Sequence, residues 1–238
     1  MLETSRMPCS TSTEGIIIMT TPITHIYFLL DRSGSMESMR DDVIGGFNAF
    51  LREQVADGRD AVMTLVQFDT HDAHEVIANA KPLDQVSPLS AATFEPRGGT
   101  PLFDAMGALI AEASRRGEVE DGREVVIFVT FTDGEENSSR EFSKDKVFAL
   151  VDDRTKKGWT FVYLGANQDS YGEGGRVGFS ADSIQDFEAS ADGTAMVFSS
   201  LSKSMVKERG KIRAMQMRDV ANFFEGDKEA EADLRGKP

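Results

Sequence analysis

A single cysteine, Cys9, stands in 238 residues, so no disulfide can close within the chain. That scarcity favours a reducing compartment, because disulfides collect in exported proteins. No apolar run nears the roughly 20 residues that a membrane helix needs. The apolar cluster Ile16–Met19 is too short for the core of a secretion signal, and Glu3 and Arg6 precede it. The expected location is therefore cytoplasmic, with no membrane partner. Basic residues are also few: 26 Lys and Arg face 40 Asp and Glu, a net charge of -14 with a pI near 4.7. Binding to a phosphate backbone draws on clustered cations, so nucleic acid is not an expected partner. With only three histidines, no Ser/His/Asp or Cys/His set for nucleophilic catalysis can be picked out.

What is present is a globular composition, 40% hydrophobic and 28% charged. The most informative stretch is Ile26–Met36, an apolar run that stops at Asp31 and continues Arg32-Ser33-Gly34-Ser35. An unbroken apolar strand is covered on both faces, as in a parallel α/β sheet. In such sheets ligands sit beyond the carboxyl ends of the strands. Asp31, Ser33 and Ser35 place three oxygen-bearing side chains in one short turn there, a set that suits a hard divalent cation.

Taken in order, the spacing predicts a strand over 24–30 and then a helix with Met36, Met39, Val43, Phe47, Phe50 and Leu51 on its buried face. Gly45 and Gly46 interrupt that helix, which a close helix–sheet approach would explain. A second strand over 61–68 and a third over 73–78 are joined by a short connection, so this pair is antiparallel and the third strand lies at the edge. Residues 81–96 carry three prolines and read as a surface loop. Thr100-Pro101 suits a helix start, with Thr100 as N-cap. Val125–Phe131 reads as a second fully buried strand, and it too runs into an acid, Asp133. A helix over 143–157, a strand over 159–164, a weak strand over 184–187 and a last helix over 194–209 complete the pattern. Alternating strands and helices imply an α/β, doubly wound, Rossmann-like fold: a mainly parallel central sheet, one antiparallel edge strand, helices on both faces. The division expected is a disordered lead over 1–21, one domain over 22–209, and a charged, partly helical tail over 210–238. Met1, Met7 and Met19 are all available as starts.

Three turns thus gather on one rim: Asp31-Arg32-Ser33-Gly34-Ser35, Gly98-Gly99-Thr100 and Thr132-Asp133-Gly134. In this order they resemble the von Willebrand factor A (vWA) domain and its metal-ion-dependent adhesion site, with the pattern Asp-x-Ser-x-Ser, then Thr, then Asp. The wording Asp-Arg-Ser-Gly-Ser-Met and Gly-Gly-Thr-Pro-Leu-Phe-Asp-Ala resembles bacterial intracellular members more than integrin or matrix ones. The resemblance implies that Ser33 and Ser35 ligate a cation directly, Thr100 directly or through water, and Asp31 and Asp133 mainly through water. It implies Mg²⁺, with Mn²⁺ or Ca²⁺ as alternatives, and a partner protein that offers an Asp or Glu to the metal. Several bacterial relatives work beside an AAA-type ATPase or in stress and metal-resistance systems, so such a partner is also implied.

Each piece has a plainer use. Asp31 with Ser33 suits a helix cap, and Thr132-Asp133-Gly134 an ordinary turn. An enzyme reading also exists, a metal-assisted phosphohydrolase with Asp31 as nucleophile. The position where such enzymes carry a general acid is here Ser33, which cannot protonate a leaving group at neutral pH, so a non-enzymatic role is expected. His71 and His74, with Asp69 and Asp72, sit on the hairpin, where a solvated edge is expected rather than a second metal site. Trp159 and Phe161 are expected in the core, and Asn167–Tyr171 at a helix cap.

Overall fold

The structure, a computed structural model, describes residues 21–166 and 169–224. Six strands form one sheet in the order β3-β2-β1-β4-β5-β6. They are β1 (Ile23–Asp31), β2 (Ala61–Phe68), β3 (Glu75–Pro82), β4 (Glu124–Thr132), β5 (Thr160–Ala166) and β6 (Ile184–Phe187). All neighbours run parallel except β2 and β3, which pair antiparallel at one edge. The helices are α1 (Arg40–Asp57), α2 (Leu102–Ala113), the four-residue α3 (Gly117–Glu120), α4 (Lys144–Lys156), α5 (Ser170–Arg176) and α6 (Ala191–Arg213). The α/β fold class, with its antiparallel edge and helices on both faces, is as expected.

Strand periodicity divides the core in two. Ile26, Phe28 and Leu30 of β1 face α1 and α6, where they meet Phe47, Phe50, Phe198 and Leu201. Tyr27 and Leu29 face α2 and α4, among Met106, Leu109, Val147 and Val151. Because both faces are covered, β1 is buried from Thr24 through Asp31, which is why its stretch Ile26–Leu30 is unbroken in apolar character. The strand order reverses between β1 and β4, the neighbours of opposite winding. Register puts Leu30 opposite Phe131, so the two strands end side by side and leave a crevice at their carboxyl ends.

Several boundaries differ from the sequence expectation. β3 starts at Glu75 and runs to Pro82, later than the expected 73–78. Residues 83–96 are not simply a surface loop: Leu83, Val86, Leu89 and Phe94 are buried and join the α1 side of the core. Prolines hid this, because irregular backbone can still deliver single apolar side chains inward. Gly46 serves helix–helix contact instead of helix–sheet contact, since a Cβ there would enter the Phe198 ring of α6, whereas Gly45 has open space. The last helix begins at Ala191 and continues past Arg209 to Arg213. Ile212, Phe223 and Phe224 are buried, and Phe224 N–H donates to the Asp182 carbonyl at 3.2 Å. Residues 210–224 therefore pack with the body, beyond the expected domain limit at 209. The lead over 1–20, with Cys9, and the tail over 225–238 lie outside the described residues. Trp159 and Phe161 are buried as expected, and His25 lies within β1 with Nδ1 2.8 Å from Glu124 and Nε2 2.9 Å from Thr64. Asn167 and Gln168 are outside the described residues, while Asp169 caps α5 by accepting from Gly172 N–H.

Candidate metal centre

Asp31 closes β1 with no exposed surface. Its Oδ1 accepts the Ser33 backbone N–H at 2.7 Å, and its Oδ2 accepts the Thr132 hydroxyl at 2.5 Å. The first bond folds the chain back into the turn that carries Ser33 and Ser35, and the second joins β1 to the end of β4. Ser33 and Ser35 then lead into a 3₁₀ turn, Gly34–Met39, before α1 begins. Their hydroxyl oxygens are 3.0 Å apart, and Ser35 Oγ donates to Asp133 Oδ1 at 2.7 Å. Gly34 N–H donates to the Gly98 carbonyl at 3.0 Å. A Cβ at Gly34 would sit 3.3 Å from that same oxygen, so this position admits the Gly98–Thr100 loop because it is glycine. Gly98 itself has a φ of +67°, the left-handed region that glycine reaches without strain.

Thr100 arrives from this loop. The helix it precedes starts at Leu102, with Pro101 in the N-cap position and no side-chain cap of its own, so Thr100 is not the N-cap. Its hydroxyl takes no part in capping α2. Capping is supplied from the segment after β4: Glu136 accepts from Phe103 N–H at 2.9 Å, and Ser139 Oγ accepts from Asp104 N–H at 3.0 Å. In return Asp104 accepts three backbone N–H groups, those of Arg140, Glu141 and Phe142. Asn137 closes the exchange, with Oδ1 accepting from Thr100 N–H at 2.9 Å. Thr100 is thereby tied to the segment that carries Asp133. A Cβ at Gly134 would lie 3.2 Å from Thr100 Oγ1 and 3.7 Å from Ser35 Oγ, so the β1, α2 and β4 turns converge on one small space.

All five expected residues, Asp31, Ser33, Ser35, Thr100 and Asp133, stand on this rim. Thr100 is 2% exposed, yet its hydroxyl makes no hydrogen bond among the described residues. Neither Asp31 nor Asp133 has an ion-pair partner among them. Burial pushes the Asp31 carboxyl up to about 7, against the hydrogen bonds from Thr132 and Ser33, with the Asp133 charge adding to the rise. Burial likewise raises Asp133, opposed by the Ser35 hydroxyl. Two desolvated carboxylates without a counter-charge, beside three hydroxyls, make a donor set that fits a hard divalent cation. No group of three His, Cys, Asp or Glu side chains forms a metal cluster among the described residues, so any cation here depends on the hydroxyls.

One expectation is corrected nearby. Asp69 is not on a solvated edge: it is completely buried. It is held below the usual carboxylate range, because backbone N–H groups of Asp72 and His71 and the guanidinium groups of Arg97 and Arg32 outweigh the effect of burial. His71 is exposed, and His74 pairs with Glu112 at 2.7 Å. Sequence reasoning missed Asp69, Asp104, Glu136 and Asn137, whose partners are 28 or more residues away in most of these bonds. No local pattern signals a cap supplied from another loop.

No sequence-family model matches the chain, and no curated protein matches it. Solved structures do. A pilus adhesin, SpaC from Lactobacillus rhamnosus GG in its open conformation, matches with a TM-score of 0.62 at 17% identity over 79% of this chain and 30% of that one. Proximal thread matrix protein 1 from the mussel byssus, in a structure described as having a zinc-occupied MIDAS motif, matches with a TM-score of 0.53 at 20% identity over 78% and 46%. The SpRpn10 VWA domain matches with a TM-score of 0.51 at 12% identity over 75% of this chain and 94% of that one. The chain thus spans under half of the length of the adhesin and byssus chains. These similarities concern the path of the backbone, and the fold of the chain is that of a von Willebrand factor A domain.

Proposed function

We propose that this chain is a metal-dependent protein-binding module. In this reading Ser33, Ser35 and Thr100 hold a divalent cation, Mg²⁺ in the cell, with Asp31 and Asp133 supplying charge. The carrying observation is the buried, uncompensated Asp31 carboxylate facing the same space as the Ser33 and Ser35 hydroxyls and the unpaired Thr100 hydroxyl. When bound, a cation with few protein ligands supplies an open coordination place for an Asp or Glu of a partner protein. The chain's own residues do the positioning. Thr132 and the Ser33 N–H orient Asp31, Ser35 holds Asp133, and Asn137 holds Thr100.

The reading assigns no catalytic step, since Ser33 stands where a phosphohydrolase needs an acid. It also follows the resemblance to bacterial intracellular members in assigning the module to the cytoplasm, with a complex built around an AAA-type ATPase as its setting. The metal-bound relative supports the choice of a divalent cation; the preference for Mg²⁺ rests on the hard, oxygen-only donor set.

The test is affinity capture from a lysate on the immobilised chain, with Mg²⁺ and with EDTA. Partner recovery is expected with Mg²⁺ and to be lost in EDTA and with Asp31→Ala. Recovery that persists under both treatments refutes a metal-bridged contact.

A further inference from the structure

The metal centre leaves unused a buried acid at the end of the neighbouring strand. Asp69, directly after β2, is 0% exposed. Its Oδ2 accepts from Nε of Arg32 and from Nε of Arg97, each at 2.9 Å. Its Oδ1 accepts the backbone N–H groups of His71 at 2.6 Å and Asp72 at 3.0 Å. Arg32 lies between Asp31 and Ser33, and Arg97 is in the loop that delivers Thr100. One carboxylate therefore joins the turn after β1, the turn after β2 and the loop before α2. Backbone bonds run alongside: Arg97 N–H to the Arg32 carbonyl at 2.9 Å, and Gly99 N–H to Thr70 Oγ1 at 3.0 Å.

The charges close among themselves. Glu75 lies 2.5 Å from Arg32 Nη2 and 3.6 Å from Arg97 Nη2, so two guanidinium groups face two carboxylates. Neither arginine is left to neutralise Asp31 or Asp133. Ser33 and Ser35 belong to the first joined segment, at the start of the 3₁₀ turn Gly34–Met39, and Thr100 to the third, which precedes α2; Gly34 N–H to the Gly98 carbonyl joins the two directly. Their separation is set where they are clamped.

We propose that Asp69 is a positioning residue of the metal centre, clamping Arg32 and Arg97 so that Ser33 and Ser35 stand at a fixed spacing from Thr100. The proposal rests on the metal-binding reading above. Supporting residues around a metal commonly change its affinity by about 10–100-fold when replaced.

The test is Mn²⁺ titration into the full chain, read by the loss of the free-ion electron paramagnetic resonance signal, with melting temperatures in EDTA recorded in parallel. Asp69→Asn is expected to weaken Mn²⁺ binding by about tenfold or more. Val151→Ala, on the buried face of α4, is expected to lower the melting temperature while keeping wild-type affinity. Arg97→Gln separates positioning from charge. Removing a positive group near the site should tighten Mn²⁺ binding if only charge matters, and should weaken it if the clamp matters. Wild-type affinity in Asp69→Asn, or tighter binding in Arg97→Gln, overturns the proposal. Should Asp69→Asn fail to fold, Arg97→Gln decides alone, because Arg97 is 40% exposed. Absence of Mn²⁺ binding by the wild-type chain overturns the metal reading, and this proposal with it.

Discussion

Asp31 is a carboxylate whose own fold works against its charge. Its pKa near 7 lies above the ordinary 3.8, so between those values the folded chain keeps a proton that the unfolded chain has released. Stability from this group is therefore full at low pH and is lost as pH rises toward 7. Each pH unit between the two values is worth about 1.4 kcal/mol, which makes the loss on the order of a few kcal/mol. Asp31→Asn removes the ionisation while Thr132 Oγ1, 3.2 Å from the Gly134 carbonyl, has another acceptor for its proton. The variant is expected to melt higher than wild type in EDTA at pH 8, with the difference shrinking by pH 5. Addition of Mg²⁺ should raise the melting temperature of the wild type only. Thermal melts across pH, with and without Mg²⁺, check both statements; a variant that melts lower at pH 8 would show that the charge is not the cost.

At the scale of elements, α1 and α6 pack closely because adjacent glycines play unlike parts. A Cβ at Gly46 would enter the Phe198 ring, and one at Gly45 would meet nothing within 4 Å. Gly46→Ala is expected to cost about 1–3 kcal/mol, as the ring must give way in a packed interface. Gly45→Ala is expected to gain about 0.5–1 kcal/mol, the ordinary helix preference for alanine. Chemical denaturation of the two variants measures both signs. The dipeptide is legible in the sequence as an anomaly within a helix, but which glycine is needed depends on where Phe198, about 150 residues later, comes to lie.

For the whole molecule, α6 and the segment after it hold the sheet's α1 side shut. Arg209 is completely buried, with Nη1 donating to the Gln54 carbonyl at 2.7 Å and Nη2 2.7 Å from Asp60. Arg213 pairs with Asp57 at 2.7 Å. A chain ended after Arg209 would lose Arg213, Ile212, Phe223 and Phe224. Each buried phenylalanine is worth about 1.5–3 kcal/mol, so that truncation is expected to lower stability by several kcal/mol or to abolish folding, measured by denaturant unfolding against the full chain. Unchanged stability would mean that residues 210–224 contribute no net packing.

The sequence by itself determined the α/β class, the two buried central strands and the five oxygen-bearing residues of the rim. The reasons are local: apolar runs end at acids, Gly34 keeps a turn tight, and hydroxyls follow at fixed spacing. It did not determine the buried part of residues 83–96, the reach of α6 and the segment behind it, or the role of Asp69. Tertiary structure alone decided those, because each depends on partners brought together by the sheet. Asp69 shows why most plainly. As a residue on a short hairpin it reads as solvated, and only when β1, β2 and the Thr100 loop meet does its carboxylate find two arginines. The strand order, which sets β1 beside β4 and beside β2, is what turns separate turns into one site.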